Sequence, residues 1–400
     1  MREHLPPSVR AAARGARRRA RIAARWLHRP DPMPVAPTPA ATRVRLLIGP
    51  ANFAGQGYEW ARAVEANLAD VSATSFMLGR SHLAFPADWV VDPAVWVNPW
   101  WQRQQSRDVL GGYTHVLSEA LKPVLGTRYG NDVSGEARRM KRRGLVLGLV
   151  AHGSDARLPS RHAANHRWSP FRDADDWDVA ATLEERVARH QRIYAAHHAA
   201  GGAVFATTPD LLDDLPYAHW LPVVIHPDRW RTDAPVMERD RPRVLHIPTS
   251  PRLKGTPLVE PVLLALHDEG LIEYVRVEGI APDEMPAHIA GVDIVLDQVV
   301  LGAYGAMAVQ AMAAGRVVLA HVTAQNRARL PEDPPIVEVD PDSFESVLRG
   351  LVERRDEARA AAARGPAYAD AWHDGRHAAA VLAPWLGVAA PAGTRSTAPA

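Results

Sequence analysis

The chain has 400 residues, of which 47% are hydrophobic, and its formal net charge at pH 7 is +2. This length is too great for one ordinary core and suits two α/β domains. The sequence contains no cysteine, which excludes disulfides, a thiolate nucleophile and a cysteine metal site. No apolar run approaches the roughly 20 residues that span a bilayer, and the first residues lack the apolar core of a signal peptide. We therefore expect a cytoplasmic protein.

The positive charge is concentrated near the N-terminus. Residues 1–40 contain nine arginines and two acidic residues, a net charge of +7, so the rest of the chain carries −5. Such a segment either contacts an anionic membrane, here the inner face of the membrane, or is a solvated leader. Nucleic acid is the less favoured partner. Because residues 30–42 are rich in proline and alanine, we predict a disordered basic tail and linker over residues 1–42.

Strand and helix patterns alternate from residue 43 onwards. Short apolar runs predict parallel strands, and amphipathic stretches between them predict helices. The region 80–110 is predicted to be irregular, and its four tryptophans are more typical of a core than of a sugar-binding surface. The predicted strands are 44–49, 71–78, 114–120, 145–153, 203–207 and 221–225, and the predicted helices are 56–68, 133–143 and 183–200. Together they predict a Rossmann-like domain over residues 43–225.

The pattern starts again after Pro227 and predicts a second domain over residues 226–365. Its predicted strands are 243–248, 272–277, 292–296, 317–320 and 336–339, and its predicted helices are 257–269, 283–290, 306–314 and 344–364. Residues 366–386 are predicted to form closing helices, with packing back onto the first domain as one arrangement, and residues 387–400 a disordered tail. The whole pattern predicts an α/β protein with two doubly wound, Rossmann-like domains that face a cleft.

The most informative stretch runs from Val292 to Ala320. It predicts a strand, a turn containing Gly302 and Gly305, a helix of small residues, and a further strand. A helix that begins just after a strand, behind glycines, presents free N–H groups and the positive end of its dipole to an anion. Open parallel sheets bind ligands at this place. The stretch therefore predicts an anion site at the start of the helix.

Two further loops contribute to the same predicted site. The segment 246–256 places Arg252, Lys254 and Gly255 between a strand and a helix, where two cations beside a helix start can hold a diphosphate. The segment 49–57 follows the first strand, and its glycines allow the backbone to approach a ligand closely. That segment lacks the spacing of a dinucleotide-binding motif. A tight turn is an equally good interpretation of it.

The segment 151–160 follows the strongly apolar predicted strand 145–153. His152 is a candidate proton carrier, and Arg157 is placed either to meet an anion or to orient Asp155. The alternative is a helix-capping turn, because serine and aspartate are good caps. The acidic run 173–178 does not follow a strand, and the histidine pair at 162 and 166 lacks the glutamate of a zinc motif. We therefore expect no metal site.

Taken in their order along the chain, the loops resemble those of the family-4 glycosyltransferases of GT-B fold, and in particular those of the bacterial, actinobacterial type. LDQVVLGAYGAMAVQAMAAGRVVL (296–319) is similar to the helix that carries the family's E-x7-E motif. RLKGT (252–256) resembles the KG loop, and HGSDAR (152–157) the acceptor-side histidine loop. WLPVVIHPDRW (220–230) resembles the segment that crosses between the domains. The resemblance covers most of residues 43–386.

The resemblance implies a retaining transferase that moves a sugar from a nucleotide-diphosphate sugar to a glycan, glycolipid, lipid-linked or small-molecule acceptor, for polysaccharide biosynthesis. The first domain would bind the acceptor and the second the nucleotide sugar, with no cofactor and no metal. Arg157 would lie on the acceptor side. The implied catalytic residues are His152, Asp155 and Gln310, and the implied donor-binding residues are Gly55, Gly57, Arg252, Lys254, Gly255, Tyr304, Gly305, Ala306 and Gln310.

The chain departs from the family's pattern at three positions. The two glutamates of the motif fall on Gly302 and Gln310, and an arginine of the family falls on Thr249. Gln310 can still accept a ribose hydroxyl, but the lost charge costs about 1–2 kcal/mol. These departures keep open a second interpretation, in which the chain is a GT-B pseudoenzyme that acts as a binding or scaffold protein. A sugar-nucleotide epimerase on the same fold is a third and less favoured one.

Overall fold

The computed structural model describes residue 29 and residues 31–79, 85–172 and 179–391. Within them the chain forms a seven-stranded sheet and a five-stranded sheet, and every strand pair is parallel. The predicted α/β fold with two doubly wound domains is therefore confirmed. Most of the basic tail, the acidic run 173–178 and residues 392–400 lie outside the described residues.

The first sheet has the strand order β3-β2-β1-β4-β5-β6-β7. Its inner strands are apolar and buried on both faces, as parallel strands covered by helices must be. Leu46 of β1, an inner strand, lies opposite Ala73 of β2 on one side and His115 of β4 on the other. The strands are β1 (Val44–Gly49), β2 (Val71–Leu78), β3 (Trp89–Val91), β4 (His115–Glu119), β5 (Val146–Ala151), β6 (Ala203–Ala206) and β7 (His219–Trp220).

Six helices accompany this sheet in the described residues. They are α1 (Gln56–Asn67), α2 (Pro93–Trp96), α3 (Pro99–Gly112), α4 (Ser134–Arg142), α5 (Pro159–Asn165) and α6 (Val179–Ala199). The prediction of irregular structure over 80–110 is wrong for most of the described part of that range, which contains β3, α2 and α3; residues 80–84 lie outside the described residues. Helix α3 begins where Asn98 Oδ1 accepts hydrogen bonds from the amides of Trp100 and Trp101. Of the four tryptophans, Trp96 and Trp101 are buried in the core as expected, Trp89 packs against that core, and Trp100 is exposed.

The second sheet has the order β12-β11-β10-β8-β9. Leu296 at the end of β10 lies between Leu319 and His246, so three strand ends meet there. The strands are β8 (Arg243–His246), β9 (Glu273–Arg276), β10 (Ile294–Leu296), β11 (Val317–Ala320) and β12 (Val337–Glu338). The helices are α7 (Pro251–Lys254), α8 (Thr256–Asp268), α9 (Met285–Ala290), α10 (Ala306–Ala313), α11 (Ala324–Ala328), α12 (Phe344–Glu353) and α13 (Arg355–Ala363).

The last two helices pack on different domains. Helix α14 (Gly365–Trp372) buries Tyr368 and Trp372 in the core of the second domain. Helix α15 (Arg376–Leu386) buries Leu382 against the core that contains Trp60 of the first domain. The predicted single helix over 344–364 is wrong, since Arg354, with φ −101° and ψ 60°, separates α12 from α13.

The predicted strand over 221–225 is also wrong. Only its first amide, that of Leu221, donates to the neighbouring strand, at Ala206 O of β6, 2.8 Å away. Beyond it, the backbone groups bond to side chains and to the C-terminal helices. The Gln56 amide donates to Val224 O at 3.0 Å and accepts from Val224 N at 2.7 Å, and Trp60 Nε1 donates to Pro222 O at 3.0 Å. Ile225 N donates to the carbonyl of His373 at 2.9 Å. This segment therefore joins the crossing between the domains to helix α1 and to the C-terminal helices.

Candidate functional site

A cavity of about 410 Å³ lies between the carboxyl ends of the two sheets. His152 follows β5, Thr208 and Asp210 follow β6, and Gln298 follows β10, so each reaches the cavity from a strand end. Lys254, at the end of α7, lines the wall that the second domain provides. The position agrees with the rule that open parallel sheets bind ligands beyond the carboxyl ends of their strands.

Lys254 is held by a carboxylate that the sequence did not point to. Its ammonium group donates to Asp297 Oδ1, and Asp297 Oδ2 accepts from the amide of Gly305 at 2.7 Å. The side chain of Asp297 is fully buried, whereas that of Lys254 is 20% exposed. A lysine ammonium has three N–H donors, so two remain for another acceptor. An acidic residue directly after a buried strand, VDIVLD, was the available signal.

The turn before α10 is shaped by Gln298, which is almost fully buried. Its amide oxygen accepts from Val300 N at 3.0 Å and Leu301 N at 2.6 Å, and its amide nitrogen donates to the carbonyls of Ala303 and His321. This side chain therefore fixes the residues that lead from β10 to the start of the helix.

The phenol of Tyr304 is directed into the protein. Its oxygen lies 3.2 Å from Tyr368 Oη and 3.2 Å from His373 Nε2, so it joins the start of α10 to the C-terminal helices. Burial raises the pKa of Tyr304 well above its usual value and lowers that of His373 to about 4. Tyr304 and Gly305 both line the cavity. The hydroxyl of Tyr304, however, is occupied in holding the wall together.

Two residues of the predicted donor site lie beside the cavity and outside its lining. Arg252 Nε donates to the carbonyl of Pro170 at 2.9 Å, which joins α7 to the first domain. Arg252 is therefore outside the cavity lining, where it was predicted to help hold a diphosphate. Gly255 has φ +76°, and a Cβ there would lie 2.5 Å from the side chain of Val299. Gly255 is needed for close packing of the chain.

The positions of the two motif glutamates differ from each other. Gly302 has φ +77°, and a Cβ there would lie 3.0 Å from side-chain atoms of both His166 and Thr323. A glutamate at this position would be strained, because L-residues rarely adopt this conformation. Gln310 is partly buried in the second turn of α10. Neither Gln310 nor Ala306, the first residue of that helix, belongs to the cavity lining.

The loop after β5 is braced from behind by Asp155. Its Oδ1 accepts from the amides of His152 and Gly153, both at 2.9 Å, and its Oδ2 accepts from the Tyr194 hydroxyl at 2.6 Å. Asp155 is buried and does not line the cavity. Asp155 caps no helix, since the N-cap of α5 is Leu158. Its carboxylate holds the backbone of the loop that carries His152, and we therefore propose no catalytic role for it.

His152 lines the cavity with its ring set against the first domain. The ring lies edge-on to Phe53 with the ring centres 5.1 Å apart, and Nε2 is buried 3.1 Å from Glu119 Oε1, without the alignment of a hydrogen bond. Glu119, fully buried at the end of β4, also accepts from Ala51 N at 3.0 Å and Asn52 N at 2.7 Å. The sequence analysis missed Glu119, although it ends a buried strand.

The two glycines of segment 49–57 shape the turn in front of α1. Gly55 has φ +76°, and a Cβ on Gly57 would lie 3.2 Å from both Asn52 Oδ1 and Glu119 Oε2. Neither glycine lines the cavity. Their positions match the tight-turn interpretation, in which they bring the backbone close to Glu119.

Arg157 lines the cavity and is paired with Asp210, which follows β6. Its Nε and Nη2 lie 2.7 Å and 2.5 Å from Asp210 Oδ2, and both side chains are almost fully buried. Of the cavity-lining residues that the structure describes, Asp210 is the only one with a carboxylate. The first-domain wall therefore presents Arg157 with its charge already balanced.

The described part of the chain contains no group of three or more His, Cys, Asp or Glu side chains placed to hold a metal ion. It also contains no helix that is both long and apolar enough to cross a membrane.

No protein-family model matches the sequence, and a comparison with curated proteins gives no match. Solved structures do match. Sucrose-phosphate synthase from Thermosynechococcus elongatus has a TM-score of 0.57 and 12% identity, covering 84% of this chain and 96% of its own. Anabaena HepE, solved with UDP and glucose, has a TM-score of 0.54 and 12% identity, covering 86% of this chain and 99% of its own. With two parallel sheets around one cavity, the chain thus has the GT-B fold.

Proposed function

We propose that the protein is a retaining glycosyltransferase, which moves a sugar from a nucleotide-diphosphate sugar to a glycan, glycolipid or small-molecule acceptor. One observation carries the proposal: residues of both domains line a single cavity. Lys254 and the start of α10 lie on one wall, and His152 and Arg157 lie on the other. A donor on one wall and an acceptor on the other would meet there.

The second-domain wall suits a diphosphate. The ammonium of Lys254 has two donors left beside Asp297. The first amides of α10, from Ala306 onwards, have no carbonyl partner within the helix, and its dipole adds positive charge at the same end. Loss of a nucleoside diphosphate leaves negative charge on phosphate oxygens, and fixed cations and dipoles stabilise that charge as it forms. Gln310, further along α10, is the residue that we assign to the ribose hydroxyls.

Retention is what the resemblance implies, and it would correspond to transfer on one face of the sugar. The acceptor oxygen would bond to the anomeric carbon as the bond from that carbon to the phosphate oxygen breaks, and the hydroxyl proton would pass to the departing phosphate. This route needs no carboxylate nucleophile. The carboxylate on the cavity wall, Asp210, has one oxygen occupied by Arg157 and the other buried.

The first-domain wall would position the acceptor and the transferred sugar. The ring of His152 lies against Glu119 and Phe53, and the carboxylate of Asp155 holds the backbone of its loop. Fixed polar groups at the reacting centre reduce the entropy lost on reaching the transition state. The HepE structure with UDP and glucose supports a nucleotide sugar as donor, by likeness of fold alone.

The test is a panel of nucleotide sugars with different bases, each incubated with the protein while donor hydrolysis is followed, and each also measured for its effect on the melting temperature. We expect one base to raise the melting temperature and its sugar conjugate to be hydrolysed slowly. No response to any nucleotide or nucleotide sugar would contradict the proposal.

One observation favours the second candidate, a GT-B pseudoenzyme that acts as a binding or scaffold protein. Gly302 stands where the family has a glutamate, and its backbone conformation disfavours any side chain. A scaffold would bind a nucleotide sugar without consuming it. Stable binding with no loss of donor, over a broad panel of acceptors, would favour this candidate over the transferase.

A further inference from the structure

Asp297 joins the two parts of the second-domain wall. It follows β10 directly, and its two oxygens accept from Lys254 Nζ and from Gly305 N. A Cβ on Gly305 would lie 3.4 Å from Asp297 Oδ2 and 3.9 Å from Lys254 Nζ, so the carboxylate, the ammonium and the start of the helix are in contact. No other carboxylate in the described chain bonds to Lys254.

We infer that Asp297 is a positioning residue for the diphosphate of the donor, an inference that rests on the proposed function. Lysine has a flexible four-carbon side chain, and fixing its ammonium costs rotamer entropy. Because Asp297 binds the ammonium whether or not a nucleotide is present, the side chain of Lys254 loses this entropy on folding and not on binding the nucleotide. The same carboxylate also binds the amide of Gly305, just before α10, so it sets the distance between the Lys254 ammonium and the start of the helix.

Asp297 acts in this way without touching the nucleotide. Its side chain is fully buried, and both oxygens are already bonded. Its negative charge also balances Lys254, so the wall binds a diphosphate through the placement of donors and not through excess positive charge. Loss of the carboxylate should therefore weaken diphosphate binding even though the net positive charge of the wall would increase.

The test is Asp297→Asn, which keeps the volume but leaves one acceptor oxygen for two donors. The probe is whichever of UDP, GDP and ADP the wild-type chain binds best, together with its monophosphate, measured by calorimetry. We expect affinity for the diphosphate to fall at least about tenfold, since one charge-assisted bond is lost and Lys254 is released. Affinity for the monophosphate should fall less, so the ratio of the two affinities should decrease.

The matched control is Asp293→Asn. Asp293 is also a fully buried aspartate beside β10, but it bonds to Met237 N, Arg243 N and Arg239, outside the cavity lining. This variant should lose stability and keep the wild-type ratio of diphosphate to monophosphate affinity. In a Lys254→Met background, Asp297→Asn should weaken diphosphate binding less than it does in the wild-type chain, because one of the two groups that Asp297 positions is then absent.

Three outcomes would overturn the inference. The first is an unchanged affinity ratio in Asp297→Asn, and the second is tighter diphosphate binding. If Asp297→Asn does not fold, Asp297→Ser, with a smaller side chain, takes its place under the same criteria. The third is a wild-type chain that binds no nucleoside diphosphate, which would remove the proposed function as well. The first two leave the proposed function intact.

Discussion

The two walls of the cavity are stabilised by different chemistry. On the first-domain wall, Asp155 and Glu119 accept hydrogen bonds from backbone amides and hold the loops that carry His152. On the second-domain wall, Tyr304 and His373 join the start of α10 to the C-terminal helices through uncharged groups. The first wall is therefore stabilised by several buried carboxylates, and the second by neutral hydrogen bonds together with one buried carboxylate, Asp297, whose charge Lys254 balances.

This difference matches what each wall would hold. A wall that receives a diphosphate gains from few fixed negative charges, and the carboxylate of Asp297 is balanced by Lys254. A wall that orients a neutral hydroxyl acceptor can contain carboxylates, provided that they are buried and bonded. Under the proposed function, donor binding would depend on one set of residues and acceptor geometry on another, and substitutions can separate the two.

The largest expected effect is that of Lys254→Ala. Lys254 is the one cation among the described lining residues of the second domain. Its removal should lower nucleoside diphosphate affinity about a hundredfold, because charge-assisted bonds are lost and Asp297 is left uncompensated. Transfer should fall below detection. Lys141→Ala is the matched control, because Lys141 is an exposed lysine on α4. Calorimetry with the preferred nucleotide measures the change. Equal affinities in both variants would show that the donor lies elsewhere.

Glu119→Gln should affect the other wall. The glutamine keeps the shape but removes the negative charge beside His152 Nε2, so we expect kcat to fall about tenfold with little change in the donor KM. Glu136→Gln is the control, because Glu136 is also fully buried and accepts from Val124 N and Leu125 N away from the cavity. If both variants lose the same activity, the effect of Glu119 is one of stability alone.

Most of the fold could be predicted from the sequence, because its strands are continuous apolar runs bounded by polar turns. The strand 71–78 and the strand 317–320 have the predicted bounds. The predictions from the sequence were wrong where local structure depends on hydrogen bonds between side chains and the backbone. Helix α3 depends on the cap at Asn98, within a run of tryptophans that hides the helical pattern. The crossing segment 221–225 looks like a strand but is bonded to Gln56.

The site could be predicted in part. Pattern and spacing place Lys254, Tyr304, Gly305, His152 and Arg157 around one cavity, and the structure brings all five together. Pattern alone does not say which atoms face the cavity, since that depends on hydrogen bonds between distant segments. The carboxylates of Asp297, Glu119 and Asp210 lie, respectively, 43, 33 and 53 positions from their partners Lys254, His152 and Arg157. No local motif contains such pairs.

Acid should weaken the second wall through His373. Burial lowers the pKa of this histidine to about 4, whereas an unfolded histidine has a pKa of about 6.5. As the pH falls, the unfolded chain binds the proton first. The stability due to neutral His373 is therefore complete above pH ~6.5 and declines by about 1.4 kcal/mol for each pH unit from there down to pH ~4.

Denaturant unfolding at pH 7, 6 and 5 would measure this decline. His373→Asn should be less stable at pH 7 but lose less stability between pH 7 and pH 5 than the wild-type chain. The exposed His219→Asn serves as the control and should keep the wild-type dependence. The same pH dependence in His373→Asn would mean that the wall does not rely on a neutral imidazole, and the contrast between the two walls would be weakened.

The smallest expected effect is a gain. Gln310→Glu restores a charged acceptor in the second turn of α10, where Gln310 is partly exposed. If this residue bonds the ribose hydroxyls, the nucleotide should bind up to about tenfold more tightly, since a hydrogen bond to a charged group is stronger than one to an amide. The comparison of a ribonucleotide with its 2′,3′-dideoxy analogue isolates the contact, because only the ribonucleotide should gain. An equal gain for both ligands, or a loss for both, would place Gln310 away from the ribose and leave Lys254 and the helix start as the donor contacts of this wall.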